Sequence, residues 1–133
     1  RKLLAPVVVA AGLAISPGCI IVTEPEPDVG TLAVRWSIEG STNPLACSAH
    51  DAVWAQVVVS AADGAIEASL TPACTAFATS VGLYAGWHRM AMTMLDAQGR
   101  PISTTVVTPV DVWFDRTSTV LAEFPASAFF QSH

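Results

Sequence analysis

The sequence predicts an all-β protein, an antiparallel β-sandwich of about seven strands, preceded by a signal-peptide helix and an extended linker. Three observations lead there. After Cys19, apolar residues recur mostly with period two, the mark of strands with one buried face. Turn signals interrupt these runs about every ten residues, as in a sandwich. No segment after Cys19 holds a helical period.

The chain opens on Arg1-Lys2, an apolar run from Leu3 to Ile15, and Ser16-Pro17-Gly18-Cys19. A cationic end, an apolar core and small residues at the cut are the parts of a signal peptide, expected over residues 1–18. As a helix the run reaches about 20 Å, short of the roughly 30 Å of bilayer hydrocarbon, so a permanent span is the weaker reading. Ile15-Ser16-Pro17-Gly18-Cys19 resembles the bacterial lipobox, whose cysteine is lipidated and becomes the mature N-terminus. The resemblance implies a lipid anchor at Cys19. Ser16 stands where the lipobox favours an aliphatic residue. The alternative is an ordinary signal peptide cut nearby, with Cys19 left as a thiol. Ile20 occupies the place where some envelope sorting systems read an aspartate as a retention signal, which by resemblance implies the outer membrane.

Residues 19–29 form the linker. Thr23-Glu24-Pro25-Glu26-Pro27-Asp28 is acidic, proline-rich and too poor in apolar residues to fold. The sandwich is expected over residues 30–125. Leu32, Val34, Trp36 and Ile38 make the inward face of its first strand. Asn43-Pro44 signals a turn, and a loop carrying Cys47 runs through His50 and Asp51. Val53, Ala55, Val57 and Val59 face inward next. Asp63-Gly64 marks a hairpin, with Ile66, Ala68 and Leu70 on the return.

Thr71-Pro72-Ala73-Cys74 breaks that strand. Phe77 to Leu83 forms the next, and Tyr84-Ala85-Gly86 turns into the longest alternation, with His88, Met90, Met92 and Met94 on one side. Asp96-Ala97-Gln98-Gly99 closes it. Residues 102–107, 110–114 and 119–124 supply the remaining strands, the last two joined through Asp115-Arg116-Thr117. The tail 126–133 has no companion pattern and is expected to fray.

The stretch from Leu83 to Gly99 carries a resemblance. Its leucine, glycine and aromatic residue, alternating strand and Asp-x-x-Gly turn resemble the pattern of carboxypeptidase-regulatory-like and transthyretin-like domains. Such domains occur in small bacterial envelope lipoproteins. The resemblance covers mainly residues 75–124 and implies an immunoglobulin-like sandwich. It transfers no catalytic residue.

The chain has 133 residues, 52% of them hydrophobic, and a net charge of −5. Without Arg1 and Lys2, four of the six basic residues remain against eleven acidic ones, a net charge of −7. So acidic a domain has no basic stripe for phosphates, which argues against nucleic-acid binding. Attachment to a membrane would rest on lipid rather than charge.

With Cys19 assigned to the anchor, Cys47 and Cys74 remain as an even pair in an exported domain, where disulfides persist. The alternative is a metal site, since Cys47 and His50 have ligand-like spacing and His88 could join. No second closely spaced ligand pair appears, so no metal or cofactor is expected. The methionine stripe with His88 could suit copper. Alternate strand positions are core positions, however, and methionine fills irregular gaps there.

His50 and His88 have no Gly-x-Ser-x-Gly elbow to serve. Asp111 and Asp115 on one strand would stand roughly 13 Å apart, too far for a glycosidase pair. No enzyme is expected. Trp54, Trp87 and Trp113 fall opposite the inward residues of their strands. If they cluster, they offer an aromatic platform to a glycan or a protein partner. The sequence therefore predicts an envelope-anchored lipoprotein displaying a small interaction domain. Its partners would be the membrane, through lipid, and envelope proteins or glycans.

Overall fold

The structure, a computed structural model, describes residues 28–130. The expected signal peptide, Cys19 and linker residues 19–27 lie outside the described residues, as do 131–133. Seven strands form: β1 (Val29–Ile38), β2 (Trp54–Ala61), β3 (Ile66–Leu70), β4 (Ala78–Tyr84), β5 (Gly86–Leu95), β6 (Val106–Val112) and β7 (Thr117–Phe124). They divide into a three-stranded sheet, β4-β1-β7, and a four-stranded sheet, β3-β2-β5-β6. One hydrophobic core lies between the sheets.

Period two sets which residues enter that core. β1 supplies Leu32, Val34, Trp36 and Ile38, β2 supplies Ala55, Val57 and Val59, and β5 supplies His88, Met90, Met92 and Met94. The three methionines are fully buried, so their stripe is core packing. Trp36, the largest buried side chain, donates its indole N–H to the Cys74 carbonyl at 2.9 Å. Cys74 is disulfide-bonded to Cys47, which joins the two segments that follow β1 and β3.

Several expectations are corrected. The sheets are not wholly antiparallel, because β7 runs parallel to β1 from Thr31↔Thr117 to Ile38↔Phe124. The segment after Asn43 is not a loop but a short helix, α1 (Pro44–Ala49). Asn43 caps it by accepting from the Leu45 N–H at 2.9 Å, and Pro44 presets its first turn. The strands expected at 102–107 and 110–114 are one strand, β6, running through Pro109. β6 is a sheet edge, where proline's missing N–H breaks no ladder.

Val53 precedes β2 and is exposed. Ile66 is exposed too, because a bulge pairs Ser60 with Ile66 but Val59 with Ala68. The tail does not fray over 126–130. Residues Ala126–Ala128 form a 3-10 turn, Phe129 is buried, and the Phe130 N–H donates to the Ile102 carbonyl at 2.9 Å.

The two ends of the sandwich differ. At the entry pole, where the chain enters β1, lie the β2–β3 turn, the β4–β5 corner and the β6–β7 loop. At the disulfide pole lie α1, the Asp96–Gly99 turn and the end of β7. Gly30 holds the entry pole closed, since a Cβ there would stand 2.1 Å from the Trp113 carbonyl oxygen. That neighbour is backbone and cannot swing away. Gly30→Ala is therefore expected to destabilise the domain by about 1–3 kcal/mol, read as a lower denaturant midpoint at unchanged slope.

Candidate functional site

The structure separates the three candidate tryptophans. Trp54 pairs with Leu95 at the disulfide pole, whereas Trp87 pairs with Asp111 at the entry pole. Along the strands they lie roughly 25 Å apart. Trp113 follows Val112, whose partner is Gly86, so Trp113 lies just beyond the end of β6 at the same pole as Trp87. A platform of three does not form. Trp87 and Trp113 share the entry pole, 65% and 58% exposed, and Trp54 lies at the other pole at 38%.

More aromatic surface joins that pair than the alternation suggested. Tyr84 and Phe114 are exposed at the same pole, with Val29, the strand partner of Tyr84, at the start of β1. Backbone hydrogen bonds fix these loops around the entering chain. The Ala85 N–H donates to the Asp28 carbonyl at 2.7 Å, and the Asp115 N–H donates to the Val29 carbonyl at 3.0 Å. Gly86 makes the corner with φ +131, a conformation that side-chain-bearing residues rarely take. Tyr84 and Trp87 thus project from a tight turn rather than a free loop.

Beside this pole, the open edges β3 and β4 leave a groove of about 440 Å³, lined by Val29, Glu67, Gly82, Leu83 and Tyr84. The opposite edges, β6 and β7, lie against each other, with the Ser118 hydroxyl donating to the Asp111 carbonyl at 2.8 Å. Near the groove, His88 bonds the Tyr84 carbonyl through Nε2 at 2.6 Å and the Glu67 carboxylate through Nδ1. Both ring nitrogens are occupied, and the side chain is only 5% exposed. His88 is a satisfied core histidine. Glu67 is the extra residue of the β3 bulge, and the period-two reading of Ile66, Ala68 and Leu70 passed over it.

The disulfide pole carries polar groups. His50 bonds Glu39 at 2.6 Å and stacks on Phe129, ring centroids 4.1 Å apart. Residues Ala49, His50, Asp51, Asp96, Arg100 and Phe130 border a hollow of about 570 Å³ there. Cys47 is tied up in its disulfide, and His50 and His88 sit at opposite poles, so the Cys47/His50/His88 metal set is not assembled. Among the described residues, no three His, Cys, Asp or Glu side chains gather as metal ligands. None of the described helices is long and apolar enough to cross a membrane.

No protein-family model matches the chain, and no curated protein matches it. Among solved structures, it is similar to a leucine-rich repeat protein from Bacteroides thetaiotaomicron VPI-5482. The TM-score is 0.50 at 12% identity, over 74% of this chain and 12% of that one. At that identity the likeness concerns the fold alone. The chain spans only 12% of the length of that protein, whose description is not that of an immunoglobulin-like lipoprotein.

One titration can be read from the disulfide pole. The Asp96 carboxylate accepts from the Arg100 and Gln98 backbone N–H groups, each at 2.9 Å, and from Arg100 Nε at 3.1 Å. The Arg100 backbone bond is the largest cause holding its carboxyl below the ordinary aspartate value. A lowered pKa means that the turn's contribution is complete above the ordinary aspartate range and is lost as pH falls through the lower folded value. The Gln98 and Arg100 amide resonances are expected to move together, with a midpoint below the ordinary aspartate value. Asp96→Asn is expected to abolish that movement.

Proposed function

We propose that the chain is an envelope-anchored lipoprotein that displays a small immunoglobulin-like sandwich as an interaction domain, without catalytic activity. The observation that carries this reading is the Cys47–Cys74 disulfide. It suits an exported protein, since such bonds persist in oxidising compartments. It also accounts for two of the three cysteines and leaves Cys19, at the end of an export-like segment, free to carry lipid. The division of seven strands into three and four supports the immunoglobulin-like assignment.

His88 has both ring nitrogens engaged, by Glu67 and by the Tyr84 carbonyl, and is buried, which suits a structural role. The second reading is a carbohydrate- or ligand-binding module. It would rest on Trp87 and Trp113, because Trp54 lies at the other pole. Intact mass of the protein extracted from membranes tests the main reading. The expected species begins at Cys19 and carries acyl chains. A chain whose Cys19 is unmodified would overturn the anchor and reduce the protein to a secreted domain.

A further inference from the structure

The exposed aromatic residues of the entry pole play little part in the core. On the same strands and loops, Leu83, His88 and Val112 fill the buried positions, while Tyr84, Trp87, Trp113 and Phe114 turn outward around Val29. They ring the point at which the linker delivers the chain, because Asp28 and Val29 are bonded to the two loops that carry them. The disulfide pole also exposes Leu45, Trp54 and Phe130, but these stand among Glu39, His50, Asp51, Asp96 and Arg100, and the chain does not enter there.

We infer that the entry pole is a lipid-contacting surface, on which Tyr84, Trp87, Trp113 and Phe114 seat in the interfacial layer of the bilayer that holds the anchor. This rests on the proposed lipid at Cys19. From Cys19 to Val29 the chain runs about ten residues and spans at most about 35 Å when fully extended, so the pole stays close to the bilayer. Tryptophan and tyrosine suit that layer, having an apolar ring and a polar atom that can stay hydrated. Tethering raises the local concentration of bilayer, so a contact too weak to recruit a free domain is populated on an anchored one.

The charges choose the lipid. Asp28, Asp63, Asp111 and Asp115 outnumber Arg89 and Arg116 around the pole, which disfavours anionic headgroups and leaves zwitterionic ones.

The test uses native protein taken from the membrane fraction and reconstituted into phosphatidylcholine vesicles, with and without brominated acyl chains that quench nearby indoles. Trp54→Phe keeps three indoles, the two of the entry pole and the buried Trp36. Trp87→Phe/Trp113→Phe keeps Trp36 and Trp54. These positions are at least partly exposed, and circular dichroism confirms that each variant is folded. Bromolipid is expected to remove roughly half of the emission of Trp54→Phe and little from the double variant, as interfacial seating of two indoles out of three requires.

Equal quenching of both variants, or none in Trp54→Phe, overturns the inference. So does a blue shift that needs no bromolipid and grows with protein density, which would place a second copy on the patch. A glycan that displaces the indoles from the quencher supports seating in the bilayer and adds a competitor. Intact mass of the same sample separates the two failures. Absent quenching with acylated Cys19 defeats the lipid-contacting pole and leaves the anchor standing. Unmodified Cys19 defeats the anchor and, with it, this inference.

Discussion

The buried face of β1 is the constraint on which the rest of the structure depends. Leu32, Val34, Trp36 and Ile38 are almost completely removed from water, and the strand pairs with β4 on one side and β7 on the other. Burying an indole without a partner for its N–H would cost about 1–3 kcal/mol of what its apolar surface contributes. Trp36 finds that partner in the carbonyl of Cys74, one half of the disulfide. The largest core side chain and the covalent staple therefore meet at one residue. Phe77 reinforces the junction. It takes φ 56, unusual for a large side chain, while its ring packs 6.5 Å from that of Trp36.

From this arrangement the two poles acquire different characters. The disulfide closes the end where α1 meets the 3-10 turn at Cys74–Ala76. The other end has no disulfide among the described residues and is closed largely through backbone, with the β4–β5 corner and the β6–β7 loop bonded to the first residues of β1, the Trp113 carbonyl resting on Gly30 and His88 holding the Tyr84 carbonyl. Because backbone bonds and the buried Leu83, His88 and Val112 do the holding there, Tyr84, Trp87, Trp113 and Phe114 are free to face outward. That is how one end of a small acidic domain can display four aromatic rings without weakening its core.

Much of the fold was legible in the sequence, because a period of two fixes which side chains share a face. The inward sets of β1 and β5 and the pairing of Cys47 with Cys74 follow from alternation and cysteine parity. What escaped depends on long-range placement. Whether Pro109 ends a strand depends on whether that strand is an edge, and the parallel pairing of β7 with β1 leaves no local trace. The bulge that turns Glu67 toward His88 shifts register by one residue inside an apparently regular alternation. α1 is six residues long, too short to show a helical period, although Asn43-Pro44 carried its capping signal. The tryptophans read correctly as outward-facing, but only register shows that Trp54 lies far from Trp87 and Trp113.

The junction at Cys74 is tested most directly by a double-mutant cycle in equilibrium denaturation between Trp36→Phe and the paired change Cys47→Ala/Cys74→Ala. Removing the disulfide is expected to cost about 3–4 kcal/mol in the chain-entropy model, and removing the indole donor about 1–3 kcal/mol. If both act through one residue, freeing Cys74 also loosens the indole's acceptor. The combined loss should then fall short of the sum by about 0.5–3 kcal/mol, as expected for coupled sites. Losses that add to within about 0.3–0.5 kcal/mol would show two independent supports and contradict the account.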